Sequence, residues 1–316
     1  MKKIFIFLTL CSSLSLFAQQ EQQFTQFMYN KLAYNPAYAG SNFNTCLTVL
    51  HRSQWIGFDG APSAQLVSFN TTLLNGKVGV GGNLLHQSIG ISNNYTLDGN
   101  YAYRVPVLHG NLGIGLQASV RYRNINFADS RLVSTVPLGQ DEAIELGQRS
   151  KFVPNFGVGA YYNQENFYIG ISVPRLIRNN IGFSQNANGL SREELHIYAM
   201  GGFIFPISSN IKLQPQALFK YTKNTPFDAE GNLNAIYQDK HTLGLSYRVG
   251  GSTKVGFGES IDFLLGIQAS PKWMVGLSYD YSLSEIKDGS SGSVEVMLRY
   301  CPRKAEGETF VNPRFF

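Results

Sequence analysis

The 316-residue chain is short of charge: only 15% of it is Asp, Glu, Lys or Arg, where a soluble domain averages nearer 25%. It has three cysteines, Cys11, Cys46 and Cys301, which excludes a disulfide-dense scaffold and a four-cysteine zinc site. The five histidines, His51, His86, His109, His196 and His241, are scattered. No His-x-x-His, Cys-x-x-Cys or Gly-x-Ser-x-Gly spacing occurs. No metal, cofactor or catalytic site is expected, and the chain does not read as an enzyme. Beyond residue 18 no apolar run approaches the length of a membrane helix. With Lys2 and Lys3 set aside, 24 basic residues stand against 21 acidic ones, too small an excess to argue for nucleic acid.

What is abundant is aromatic and glycine: 22 Phe, 17 Tyr and 32 Gly. Residues 273–283 alternate without a miss. Trp273, Val275, Leu277, Tyr279, Tyr281 and Leu283 are apolar or aromatic, and nearly all the residues between them are small, polar or charged. A period of two gives one oily face and one wet face. An oily face rimmed by aromatics, repeated along an exported chain, is how a membrane β-barrel is written. Export is expected because Met1-Lys2-Lys3 precedes an apolar run to Leu10 and small or polar residues to Ala18. Residues 1–18 read as a signal peptide cut after Ala18. Leu10 is too bulky to make Cys11 a lipidation site. The expected location is the outer membrane of a Gram-negative bacterium.

Fourteen strands are expected: 44–54, 62–73, 77–88, 93–105, 110–123, 152–163, 166–173, 194–205, 210–222, 232–237, 241–250, 260–269, 273–284 and 292–301. Connections after even-numbered strands are short and those after odd-numbered strands run longer, the asymmetry of periplasmic turns and external loops. Parity places Arg52, Asp98, Arg104, Arg121, Arg123, Lys212, Lys220, Arg248, Asp262, Asp280, Glu295 and Arg299 inward, where they avoid the ~2–4 kcal/mol cost of a cation facing lipid at mid-depth. The fold class is therefore all-β: a transmembrane antiparallel barrel of about fourteen strands over 44–301. Residues 19–43 are expected as a short periplasmic N-terminal segment and 302–316 as a periplasmic tail. Pro154 and Pro215 strain strands 6 and 9, marking bulges or strand ends. Strand 10 is short enough to leave twelve strands and an external hairpin open.

Four features are candidates for function. Cys46 and Cys301 share inward parity at the periplasmic ends of the first and last strands, which become neighbours when a barrel closes; a disulfide across the seam is expected, with two buried thiols as the alternative. Residues 24–40 carry aromatics, with Phe24, Phe27 and Met28 on one face of a short helix, a turn at Asn35-Pro36, and Tyr34, Pro36 and Tyr38 as docking candidates. The stretch Arg52 to Ser63 offers Trp55, Gly57, Phe58, Asp59, Gly60 and Pro62, read as an aromatic girdle and hairpin or as a partner-binding rim. The tail ends in Pro313, Arg314, Phe315 and Phe316, a solvated leftover or a docking peptide.

These stretches together resemble the PorP/SprF family of outer-membrane components linked to the type IX secretion system. QFTQFMYNKLAYNPAYAGS, RSQWIGFDGAPSAQ (with Arg52, Gln54, Trp55, Gly57, Phe58, Gly60, Ala61 and Pro62 matching), YDYSLSEIKDGSSGSVEVMLRY and the terminal NPRFF carry the resemblance over nearly the whole mature chain. It implies a barrel that helps export or surface-anchor cargo proteins with type IX C-terminal domains, gliding adhesins among them. It also implies a periplasmic, peptidoglycan-associated partner, alongside outer-membrane lipid. On this reading the segments 19–43 and 302–316 form a periplasmic rim, and opposite charges plug the lumen. The rival is a diffusion channel for small solutes or apolar nutrients.

Overall fold

A computed structural model of the chain describes residues 21–42, 44–132, 147–183, 192–223, 225, 227–250 and 258–302. Fourteen antiparallel crossings form one closed sheet: β1 Cys46–Ser53, β2 Ser63–Leu73, β3 Val78–Ile89, β4 Ser92–Val107, β5 Gly110–Asn126, β6 Gln148–Asn163, β7 Phe167–Val173, β8 His196–Phe203 with a continuation at Phe205–Pro206, β9 Ile211–Thr222, β10 Asp228–Tyr237, β11 His241–Val249, β12 Ser260–Gln268, β13 Trp273–Ser282 and β14 Ser293–Tyr300. Each strand pairs with its sequence neighbours, and β14 returns to β1 in the register Leu47↔Tyr300 to Ser53↔Val294. Closure leaves no sheet edge, as a lipid environment requires. Among the described residues no helix is long and apolar enough to cross a membrane.

The alternation sets the two faces. On β13, Trp273, Val275, Leu277, Tyr279 and Tyr281 are exposed on the outside, while Met274, Gly276, Ser278, Asp280 and Ser282 turn inward. Arg52, Arg104, Arg248 and Arg299 are buried in the lumen, as are Asp98, Asp262, Asp280 and Glu295. The two prolines mark places where the ladder stops. Pro215 lies opposite the break at Ile204 that divides β8, between the pairs Leu213↔Phe205 and Gln216↔Gly202. Pro154 lies beyond the last β6–β7 pair, Val158↔Val173. The side chain of Asn179 there donates to its carbonyl at 2.7 Å.

Three boundaries differ most from the expectation. β10 begins at Asp228, four residues before the apolar pattern starts, because Asp228 and Glu230 face inward to Lys220 and Arg248. β5 and β6 extend to Asn126 and back from Gln148, through polar residues that carry no lipid-facing signal.

The larger correction concerns the N-terminal segment. Residues 21–42 do not form a periplasmic rim; they lie inside the barrel. Three short 3-10 turns, Phe27–Tyr29, Lys31–Ala33 and Pro36–Tyr38, fold the segment compactly. The third starts where the Asn35 side chain accepts from the Ala37 N–H at 2.9 Å and Pro36 supplies a fixed φ. Phe24, Phe27, Met28, Tyr29, Leu32 and Tyr38 pack on wall residues such as Leu50, Tyr161, Met200 and Met297. Each buried apolar side chain is worth ~1.5–3 kcal/mol over exposure, which a leader left in the periplasm would forfeit. Tyr34, Pro36 and Tyr38 are accordingly buried in the lumen, not offered at a rim.

Candidate functional site

The lumen and its two mouths carry the features that bear on function. The wall is cut to admit the segment. A Cβ at Gly79 would collide with the Ala39 carbonyl, at Gly115 with the Ala37 backbone, at Gly159 with the Asn35 side chain, and at Gly276 with the Gln26 amide. These inward glycines on β3, β5, β6 and β13 form a backbone-wide groove for residues 26–39. The Asn35 amide donates to Ala160 O at 3.0 Å and Ile171 O at 3.3 Å. Gly40 N–H donates to Asn70 Oδ1 at 2.7 Å.

Charge fixes the other end. Arg52 reaches Asp280 at 2.6 Å and Glu295 at 3.3 Å. Arg248 reaches Glu230 at 3.0 Å, Asp262 at 3.6 Å and Asp280 at 3.8 Å. The segment joins this network at Thr25 and Gln26, whose N–H groups donate to the two Glu295 oxygens at 3.1 and 2.9 Å. The Thr25 hydroxyl sits 2.8 Å from Asp280 and accepts from Arg52 at 2.8 Å. Four carboxylates face two guanidiniums, and the segment's donors offset part of the acidic excess. At the segment's start, Glu21 bridges Arg121 at 2.8 Å and Arg175 at 2.5 Å. Burial alone would raise its carboxyl pKa; the two guanidiniums outweigh that and hold it well below the usual value.

At the long-loop mouth the Trp55 hairpin is braced on both sides. Ile56 N–H donates to Gly292 O at 2.8 Å, Ser291 N–H to Ile56 O at 2.7 Å, and Gly90 N–H to Gly60 O at 2.9 Å. Gly57 (φ +113°) and Gly60 (φ +70°) supply left-handed backbone, and the Phe58 ring lies against Gly289. The hairpin thereby presents Phe58 and Asp59 to the outside. Trp55 and Pro62 line a cavity of about 530 Å³ whose other walls include Glu21, Gln22, Gln23, Arg123 and Glu194.

At the short-turn mouth Cys46 and Cys301 are bonded across the β1–β14 seam, with Cα atoms 4.2 Å apart. Two hairpin tips there carry exposed leucines in left-handed backbone: Leu74 (φ +50°, 71% exposed) and Leu108 (φ +52°, 88% exposed). Ile207 is exposed on a third turn. Leucine in left-handed turn backbone makes Leu74 and Leu108 candidates for a contact on this face. Sequence inspection passed over them as turn residues; the signal was a leucine where a turn favours Asn or Gly. The wall glycines were also missed as a set, although all share inward parity. Pro313, Arg314, Phe315 and Phe316 lie outside the described residues, as does the expected signal peptide. His51 and His86 share the Gln65 side-chain amide on the barrel wall, and among the described residues no group of His, Cys, Asp and Glu is arranged to hold a metal ion.

A family model described as "Type IX secretion system membrane protein PorP/SprF" matches residues 16–300. No curated protein matches the chain. Among solved structures, the CymD monoaromatic hydrocarbon channel is similar at 13% identity, with a TM-score of 0.52, over 88% of this chain and 92% of that one. Omp33 of Acinetobacter baumannii is similar at 9% identity and a TM-score of 0.47, over 82% and 99% respectively. At such identities the likeness speaks to the fold alone.

Proposed function

The chain belongs to the PorP/SprF family of type IX secretion system membrane proteins of the Gram-negative outer membrane, and from that premise we propose that it is a closed anchoring barrel, not a solute channel. Its external loops hold a type IX secreted cargo protein or that protein's C-terminal domain, and its periplasmic turns hold a peptidoglycan-associated partner. The observation that carries this reading is the occupied lumen. The packed aromatics of residues 21–42, together with the buried ion pairs of the wall, occupy the bore. Folded cargo has no room to pass, so the barrel binds its client.

The partner surfaces follow from the two mouths. Outside, Phe58 and Asp59 on a hairpin braced by its neighbours make a rigid contact point, and aromatics are favoured interface anchors. On the periplasmic side, Leu74 and Leu108 replace the Tyr34, Pro36 and Tyr38 surface that the sequence offered. The tail ending in Pro313, Arg314, Phe315 and Phe316 stays a candidate docking peptide.

Purified protein in a planar bilayer tests the reading. The expected result is silence, with conductance appearing when residues 19–42 are deleted. Steady conductance of the intact protein supports the diffusion channel instead. In parallel, Leu74→Asp with Leu108→Asp is expected to lose the periplasmic partner from outer-membrane pull-downs while cargo is retained, and Phe58→Ala with Asp59→Ala to do the reverse. Retention of both partners by both variants would overturn the surface assignment.

A further inference from the structure

The direction in which residues 21–42 run through the barrel sets where its N-terminal end emerges. Gly40 lies beside Asn70 and Thr72, next to the short turn that follows Leu73. Ala37 lies beside Gly113 and Gly115, near the start of β5. Gln26 and Thr25 lie at Gly276 and Asp280, moving along β13 toward its long-loop end. Glu21 lies at Arg121, near the end of β5, and at Arg175, in the connection that leaves β7. Between its ends the segment doubles back, with Tyr29 beside Gly266 and Arg299 toward the short turns and Tyr34 beside Ser172, but the ends themselves differ: Gly40 lies at the short-turn mouth, and Glu21, Gln22 and Gln23 line the open cavity at the long-loop mouth. Short turns face the periplasm and long loops the cell exterior. The other end of the barrel behaves as an even strand count requires. Cys301 N–H donates to Lys272 O, in the short turn before β13, so the chain beyond it departs on the periplasmic side.

We infer that the luminal segment is threaded with Glu21, Gln22 and Gln23 at the exterior mouth that Trp55 and Pro62 help to form and Gly40 at the periplasmic one, so that residues 21–23 are presented to the cell exterior. This end of the segment is then an element that extracellular partners meet and periplasmic partners cannot reach. The inference does not depend on the anchoring function: a conducting barrel threaded in this direction would expose the same end.

Single cysteines and a membrane-impermeant maleimide on intact cells test it. Both native mature cysteines are engaged in the seam disulfide, so labelling reports the introduced thiol. Gln22→Cys is expected to label on intact cells as Asp59→Cys does, while Glu165→Cys, on the short β6–β7 turn, labels only after the outer membrane is permeabilised. The inference is overturned if Gln22→Cys follows Glu165→Cys, or if it stays unlabelled in both conditions while Asp59→Cys reacts. Should Gln22→Cys fail to assemble, Gln23→Cys, which lines the same cavity, replaces it: labelling on intact cells is expected, and labelling only after permeabilisation, or in neither condition while Asp59→Cys reacts, overturns the inference.

Discussion

Gly115 and Ala37 compete for one volume: the side chain that position 115 lacks would occupy the space taken by the Ala37 backbone. Backbone cannot rotate aside as a long side chain can. Gly115→Val is therefore expected to destabilise the seated segment by at least the ~1–3 kcal/mol typical of overpacking. Gly231→Val, on a strand position with nothing within 4 Å, is the matched control. Protease digestion of detergent-solubilised protein reads the difference. Cleavage within 21–42 should rise several-fold for Gly115→Val and stay unchanged for Gly231→Val.

Removing Arg52 leaves Asp280 and Glu295 buried beside each other with one cation fewer. Breaking a buried pair on one side costs ~3–5 kcal/mol. Arg52→Met should lower the temperature at which the barrel loses its folded gel mobility, and Arg52→Met with Glu295→Gln should recover part of that loss. A double variant no better than the single would show that charge imbalance is not the cause.

Glu21 makes seating of the segment pH-dependent in a definite direction. Its seated pKa is depressed by Arg121 and Arg175 against the opposing effect of burial. The stabilisation is thus fully present above the free value of about 4.3 and is lost as pH falls through the seated value. Hydrogen exchange around Gln22 and Gln23 should become less protected on acidification below that range. Glu21→Gln should remove the pH dependence.

The seam disulfide closes a loop with a sequence separation of 255. Its loss, by reduction or by Cys46→Ser, is expected to lower stability by ~2–4 kcal/mol. Non-reducing and reducing gels of urea-unfolded protein should differ in mobility, and identical mobility would show that the thiols are free.

The barrel was legible because a lipid-facing strand must alternate. The pattern at 273–283 needed no tertiary information, and the inward charges followed from parity alone. The start of β10 was not legible, since Asp228-Ala229-Glu230 has no apolar member that must face lipid. Nor was the location of 21–42: its aromatics announced burial, but only the matching glycines on four strands far apart in sequence say against what. Tyr34, Pro36 and Tyr38, expected as partner-docking residues, are instead buried against the wall of their own barrel. Leu74 and Leu108 escaped notice because they sit at hairpin tips outside the alternating runs.

A segment seated lengthwise in a ring sealed from β1 to β14 cannot be inserted from the side once that ring has shut. Residues 21–42 are made before any strand of the barrel, yet their glycine groove is shared among β3, β5, β6 and β13, the last of which is made some 250 residues later. The segment therefore either seats while the sheet is still open or threads a mouth of the finished cylinder, and in the first case the final strand shuts over a bore already full.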